Sequence, residues 1–214
     1  MLRIVRIPVN PFEENTYLAI DKDTNCAAVI DPGMFYDSEL KHFENYISEN
    51  NITLTQILNT HMHLDHCFGA NYVRTKYGTP VKASFADKQL AENLREMSKR
   101  FGMQDKVDEK VMIDVDLKDG DIVNIGNSEL RVISMPGHTQ GGVAFYNAEG
   151  GVVFTGDSLF RQSIGRTDLP GGNHQQLVQS VRRLLDMLPE DTKVLPGHGD
   201  MTTIGAERRT NPFI

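Results

Sequence analysis

The chain has 214 residues and a formal net charge of -7, from 22 lysines and arginines against 29 aspartates and glutamates. Hydrophobic residues make up 39% and charged residues 24% of the sequence, which is typical of a globular protein and excludes a disordered chain. No basic run is dense enough to follow a phosphate backbone, and no apolar run is long enough for a membrane span or a secretion signal. We therefore expect a cytoplasmic, single-domain protein over residues 1–214, with neither nucleic acid nor membrane as a partner.

The first half of the sequence predicts strands followed by helices. Residues 16–20 and 26–30 flank a polar turn and predict an antiparallel hairpin. Apolar residues at helical spacing predict one helix from about Leu40 to Glu49 and another over residues 70–77, which Gly78 ends. Short strands are predicted at 56–59 and 80–83. The charged stretch from residue 87 to residue 100 predicts one amphipathic helix whose charges form a solvated face.

The second half is richer in strands. Strands are predicted at 122–125, 130–133, 143–146, 152–154 and 193–195, with a helix over 175–188. A Pro-Gly-His segment follows an apolar strand twice, at 136–138 and at 196–198. This echo supports a symmetric architecture in which two histidines reach corresponding strand ends.

Residues 60–66, Thr-His-Met-His-Leu-Asp-His, place three imidazoles and a carboxylate within one short segment. In an extended chain His61 and His63 point the same way, while the turn into the next helix can direct Asp65 and His66 towards a neighbouring point. Burying these groups without a cation would leave costly unpaired polar atoms. The segment therefore predicts a loop that feeds two metal ions through nitrogen and oxygen ligands.

The order of the polar motifs resembles that of the metallo-β-lactamase superfamily. The His-x-His-x-Asp-His segment is followed by Gly-His-Thr at 137–139, Thr-Gly-Asp at 155–157 and Gly-His-Gly at 197–199. Residues 157–160, 165–172 and 202–205 resemble more closely the short, glyoxalase II-like hydrolases. The likeness covers nearly the whole chain. It implies an α/β fold, a four-layer αβ/βα sandwich with the metals in a cleft at one sheet edge.

The resemblance also implies a dinuclear metal centre. The implied ligands are His61, His63 and His138 for one ion, Asp65, His66 and His198 for the other, and Asp157 as the bridge. Two divalent ions are expected, zinc first, with iron or manganese as alternatives. Such a pair lowers the pKa of bound water enough to form a bridging hydroxide at neutral pH, which would attack a thioester of the hydroxyacylglutathione type. Asp65 and Asp157 are the expected catalytic carboxylates, and the thiolate leaves without a strong acid.

The substrate contacts are less well defined by the sequence. Candidates for the substrate entrance are Phe160, Arg161, Ile164 and Arg166, since an arginine would attract a substrate carboxylate. Arg166 pairing with Asp168 is the interpretation we favour over a substrate role for that arginine. Only residues 199–214 follow the last implied ligand, so we expect no C-terminal helical glutathione-binding domain, and a small-molecule thioester remains the expected partner.

Three alternatives remain open or are disfavoured. The Gly-Arg-Thr-Asp segment at 165–168 also resembles persulfide dioxygenases, which use a single iron. A metal-binding scaffold without catalysis is a further possibility. Flavodiiron reductases are disfavoured because their motif resembles His-x-Glu-x-Asp-His where this chain has His63.

Three further polar residues lie outside the implied ligand set. Asp31, in an Asp-Pro-Gly turn, is either a partner of the ligand loop or a turn residue. The lone histidines His42 and His174 are expected to lie outside the centre.

Overall fold

The computed structural model describes residues 1–214 as a mixed α/β structure. The strands are β1 (Leu2–Val9), β2 (Glu14–Asp21), β3 (Cys26–Ile30), β4 (Thr53–Leu58), β5 (Val81–Ala83), β6 (Val115–Asp116), β7 (Ile122–Ile125), β8 (Ser128–Ser134), β9 (Val143–Asn147), β10 (Val152–Gly156), β11 (Leu159–Phe160), β12 (Ser163–Ile164), β13 (Lys193–Pro196) and β14 (Thr202–Thr203). The helices are α1 (Asp37–Glu49), α2 (Ala70–Tyr77), α3 (Lys88–Glu92), α4 (Leu94–Ser98), α5 (His174–Met187) and α6 (Ile204–Thr210). None of these helices has the length and apolar character needed to span a lipid bilayer.

Two six-stranded sheets form the centre of the structure. The first has the order β1-β2-β3-β4-β5-β6, and the second has the order β14-β13-β10-β9-β8-β7. In the first sheet β3, β4, β5 and β6 run parallel to one another, and in the second β10 runs parallel to β13. Because the carboxyl ends of parallel strands meet at one edge, the loops that follow β4, β10 and β13 can converge there.

Alternating side chains divide the interior into three apolar layers. On β3, Val29 packs on the helical side of the first sheet, whereas Ile30 packs against the second sheet. On β10, Phe154 faces the first sheet, whereas Val153 packs with Leu184 of α5. Successive residues of a strand point to opposite faces, so each sheet is covered on both sides. The result is the predicted four-layer arrangement, with helices outside two facing sheets.

Most predicted elements are confirmed, and one is wrong. The hairpin of β2 and β3 and the helices α1, α2 and α5 lie where the patterns placed them, and α2 ends at Gly78 in the left-handed conformation with a φ of 64°. The single helix predicted from residue 87 to residue 100 is instead α3 and α4 between two turns of 3-10 helix, Phe85–Asp87 and Lys99–Phe101. Its first residue, Asp87, is buried rather than solvated. The short strands β6, β11, β12 and β14 and the helix α6 were not predicted.

The polar motifs all lie at one edge of the two sheets. Residues 60–66 follow β4 of the first sheet, and Asp157 directly follows β10 of the second. Gly156 of β10 pairs with Pro196 of β13, which brings His198 to the side of Asp157. The Val143 amide of the second sheet donates to the Thr60 carbonyl at 2.8 Å, so the two sheets are joined at this edge.

Candidate metal centre

Three imidazoles form a first group where the sheets meet. His61 and His63 lie on the loop after β4, and His138 lies on the loop after β8. His63 Nδ1 is 2.9 Å from His138 Nε2, and one nitrogen from each residue lies within 4.8 Å of the other two. All three residues are buried. This trio could hold a metal ion through nitrogen ligands.

A second group lies beside the first. Asp65, His66 and His198 each offer one atom within 4.8 Å of the others, and His198 Nε2 is 3.2 Å from Asp65 Oδ2. Asp157 lies between the groups, because its Oδ2 is 3.7 Å from His138 Nε2 and 3.6 Å from His198 Nε2. Its Oδ1 is 3.3 Å from His66 Nε2. All seven side chains named by the sequence are therefore brought together, with Asp157 facing both groups.

Asp31 orients His66 directly and His61 through Thr60, in both cases on the Nδ1 side of the ring. Its carboxylate accepts hydrogen bonds from the Thr60 amide and hydroxyl, both at 2.7 Å, and His66 Nδ1 lies 3.1 Å from Asp31 Oδ2. The Thr60 hydroxyl in turn lies 3.1 Å from His61 Nδ1 and can accept its proton. With Nδ1 donating outward, Nε2 of each ring presents its lone pair to the centre. Asp31 is thus both a turn residue, with a φ of 50°, and a partner of the ligand loop.

Backbone carbonyls orient two more rings. His138 Nδ1 lies 2.7 Å from the Arg166 carbonyl, and His198 Nδ1 lies 3.0 Å from the Phe12 carbonyl. A carbonyl only accepts, so each Nδ1 carries the proton and each Nε2 faces the other members of the centre. The sequence did not reveal either contact, because a carbonyl can come from any residue type.

The electrostatics of the cluster differ between the groups. Burial lowers the pKa of His61 well below its ordinary value and lowers the pKa of His63 to about 4, so both rings are neutral ligands at neutral pH. Burial also acts to lower the pKa of His66, but the carboxylates around it, Asp157 foremost, raise that pKa well above its ordinary value. A proton held on His66 must leave when a cation binds, so metal binding at this group releases protons.

Buried polar atoms at the centre of the cluster lack hydrogen-bond partners. They include Nε2 of His61, Nε2 of His66 and Oδ1 of Asp157. An unsatisfied buried polar atom costs about 1–3 kcal/mol, and several in one place indicate a missing positive partner. Imidazole nitrogens and carboxylate oxygens are ligands that suit zinc and iron. The residues present therefore fit a dinuclear metal centre.

A comparison with known families agrees with this geometry. A sequence profile of the metallo-beta-lactamase superfamily matches residues 9–198. The chain belongs to this superfamily. A metallo-beta-lactamase superfamily relative, the hydroxyacylglutathione hydrolase GloC of Haemophilus influenzae, is 38% identical to the chain over 220 residues, which cover 100% of this chain and 98% of the relative.

Solved structures of the metallo-beta-lactamase fold match along the whole chain. BLEG-1, a B3 metallo-beta-lactamase, superposes with a TM-score of 0.88 at 34% identity and covers 99% of each chain. TTHA1623, solved in a di-iron-bound form, has a TM-score of 0.86 at 35% identity, with 98% of this chain and 100% of the other covered. ETHE1 from Myxococcus xanthus has a TM-score of 0.77 at 30% identity over 99% of this chain and 83% of the other.

One of the predicted substrate contacts, Phe160, lies beside the second group, and another, Arg161, is exposed near Asp200. The Phe160 ring is half-buried, and its centre is 6.4 Å from the centre of the His198 ring. The Arg161 side chain is exposed, and its guanidinium lies 3.8 Å from the Asp200 carboxylate. The contact of Phe160 and of Arg161 with a substrate stays a prediction.

The other two predicted contacts have partners within the protein. Ile164 is buried in the layer between the second sheet and α5, which leaves its side chain little surface for a substrate. Arg166 makes a two-pronged ion pair with Asp168, with both nitrogen to oxygen distances at 2.7 Å, as the favoured interpretation of the sequence had it. Arg166 contributes to the site through its backbone carbonyl, which lies 2.7 Å from His138 Nδ1.

The turn between β1 and β2 supports the second group in a way that the sequence analysis missed. Asn10, with a φ of 55°, donates from Nδ2 to the carbonyls of Gly33 and Asp65 at 2.9 Å each. Glu14 is fully buried behind the ligand loop, with Oε1 3.9 Å from His66 Nδ1, and burial raises the pKa of its carboxyl. Asn10 and Glu14 are polar residues at the ends of two otherwise largely apolar strands. That pattern is the signal by which the sequence could have identified them.

Removing bound metal with a chelator is expected to lower the thermal unfolding midpoint. A cation that binds only the folded chain stabilises it by about 2.7 kcal/mol at a hundredfold excess over its dissociation constant. For a chain of this size that corresponds to roughly 5–10 °C. Differential scanning calorimetry before chelation, after chelation and after zinc is returned would measure it. An unchanged midpoint in the chelated protein would contradict the metal centre.

Proposed function

We propose that the protein is a dinuclear-metal-dependent hydrolase that cleaves thioesters of the hydroxyacylglutathione type. The observation that carries the proposal is the position of Asp157 between two complete groups of metal-ligating side chains, the first buried and the second partly exposed. The similarity to a relative named hydroxyacylglutathione hydrolase supports the substrate class. Zinc is the metal we propose, with iron and manganese as alternatives, since a structure of the same fold is known in a di-iron-bound form.

Two bound cations would supply an acidified water and a positive charge for the carbonyl oxygen of the substrate. The proposed ligands are His61, His63 and His138 for one ion, Asp65, His66 and His198 for the other, and Asp157 for both. We assign Asp65 the further task of orienting the attacking water, because its carboxylate is only partly buried. A departing thiolate, whose parent thiol has a pKa of about 8.5, needs no separate acid.

The thiol carrier is proposed to approach past Phe160 and Arg161. Phe160 offers an apolar face next to His198, and the exposed guanidinium of Arg161 suits a carboxylate of the carrier. This arrangement is consistent with a small-molecule substrate. We keep the cytoplasm as the proposed compartment and include no nucleic acid or membrane partner.

A persulfide dioxygenase with one iron is the second candidate. The observation in its favour is the Gly-Arg-Thr-Asp segment, in which the Arg166 carbonyl holds His138 of the first group. The observation against it is the complete second group of Asp65, His66 and His198, which a single-iron enzyme does not need. The two candidates therefore differ in the number of ions per chain.

Anaerobic purification, elemental analysis and a substrate panel would test the proposal. We expect two ions per chain and turnover of lactoylglutathione, measured as free thiol release, above turnover of simple esters and of a β-lactam. One iron per chain together with oxygen uptake in the presence of a persulfide would replace the proposal with the second candidate. A metal-loaded protein that turns over no thioester, ester or lactone but binds a partner protein would indicate a scaffold.

A further inference from the structure

A buried carboxylate outside the ligand set joins the two loops that carry the first group. Asp87 ends the 3-10 turn Phe85–Asp87 and precedes α3, and only 1% of its surface is exposed. An aspartate at the start of a helix commonly caps the first turn. Here the Asp87 side chain makes no cap hydrogen bond. Its carboxylate is directed elsewhere.

The carboxylate accepts three hydrogen bonds from two separate loops. Oδ2 accepts from the Met62 amide at 3.2 Å and from the Thr139 hydroxyl at 2.8 Å, and Oδ1 accepts from the Gly141 amide at 2.7 Å. Met62 lies between the two histidines that the loop after β4 gives to the first group. Thr139 directly follows His138. Asp87 therefore ties the backbone of one ligand loop to the backbone of the other.

We propose that Asp87 is the positioning residue of the first metal group, which it holds in a geometry suited to one cation. The inference rests on the proposed metal centre. A carboxylate is required because all three partners are donors, and an amide in its place would turn an NH2 towards one of them. The loop around Gly141 is shaped for this contact, since a Cβ at that glycine would lie 2.7 Å from Asp87 Cγ.

The effect of Asp87 is confined to the first group by its contacts. The second group has its own supports in the Asp31 carboxylate behind His66, the Asn10 amide on the Asp65 carbonyl and the Phe12 carbonyl on His198. Loss of the Asp87 contacts therefore detaches the loop that carries His61 and His63 from the loop that carries His138. The side chains of the second group keep their own supports. Outer-sphere partners of this kind commonly change metal affinity about 10–100-fold.

The experiment compares Asp87→Asn with Asp21→Asn in the full chain. Asp21 is an equally buried carboxylate at the last residue of β2, whereas the first residue of that strand, Glu14, lies near His66. Asp21 accepts hydrogen bonds from Ser128 Oγ at 2.6 Å and from Thr24 Oγ1 at 2.8 Å. Metal content after dialysis, chelator competition with zinc and the absorption spectrum of the cobalt(II) protein are measured alongside the melting temperature. We expect Asp87→Asn to weaken one ion about 10–100-fold and to leave the other unchanged, while Asp21→Asn alters stability alone.

A second variant covers the case in which Asp87→Asn does not fold. In Gly141→Ala the added Cβ would clash with the Asp87 carboxylate. This variant should therefore reproduce the selective loss of one ion. Two ions bound with wild-type affinity in both variants, or equal loss of both ions, would overturn the role of Asp87. A wild-type chain that itself fails to bind two ions would instead overturn the proposed function, so the two failures are distinguishable.

Discussion

His63→Ala is expected to remove one of the two metal ions and to abolish thioester turnover. The His63 ring is buried with Nδ1 2.9 Å from His138 Nε2, so its removal leaves the first group with two ligands of its own. Burial lowers the pKa of His63, which makes it a neutral ligand at working pH, and an alanine offers no donor in its place. Elemental analysis and free thiol release from lactoylglutathione would measure both losses.

The matched control is His174→Ala. His174 begins α5 and is exposed, as is His42 on α1, so neither lone histidine belongs to the centre, as expected from the sequence. The control should retain two ions and wild-type turnover. Equal effects of the two substitutions would refute the assignment of His63 as a ligand.

Gly197→Ala is expected to disrupt the centre without removing any ligand. Gly197 follows β13 and precedes His198, and its amide donates to the Gly156 carbonyl at 2.9 Å. A Cβ there would overlap Asp157 Oδ1 and stand 2.6 Å from His66 Cε1. The bridging carboxylate must then move, and a displacement of about 1 Å can reduce turnover about 100-fold. Steady-state kinetics and ion counting would show the loss of turnover together with a lower metal content.

The control for this substitution is an alanine at a glycine that lies outside the centre. Gly78→Ala places an alanine at a φ of 64°, but a Cβ there meets nothing within 4 Å. We expect this variant to lose about 1 kcal/mol of stability and to retain its ions and its activity. Comparable loss of turnover in the two variants would show that the effect of Gly197→Ala does not depend on the space beside Asp157.

The layered fold and the ligand-bearing loops could be predicted because their signals are local. The strand-like runs at residues 16–20 and 26–30, separated by a polar turn, and the helical spacing in α1 and α5 are patterns of neighbouring residues. The density of imidazoles in residues 60–66 has few explanations other than a metal, and the order of the later motifs completes the set. These features need no knowledge of which residues meet in space.

The supports of the centre could not be predicted because they depend on long-range contacts. Asp87 lies beside the charged residues of α3, so its pattern resembles that of a solvated helix, and its burial results from loops that arrive from both sheets. Asn10 meets the Asp65 carbonyl across 55 positions of sequence. The helix α6 had a recognisable start, since the Thr203 hydroxyl accepts from the Ala206 amide, but its short length weakened the periodic signal.

Each proposed metal group takes residues from the loop after β4 in the first sheet and from loops of the second sheet. Bound ions would therefore act as removable cross-links that close very long stretches of chain. The two sheets could not separate until these links released, so the ion-loaded protein should unfold slowly even where its equilibrium stability is modest. The lifetime of the folded chain would thus be governed by the same ions that serve its chemistry.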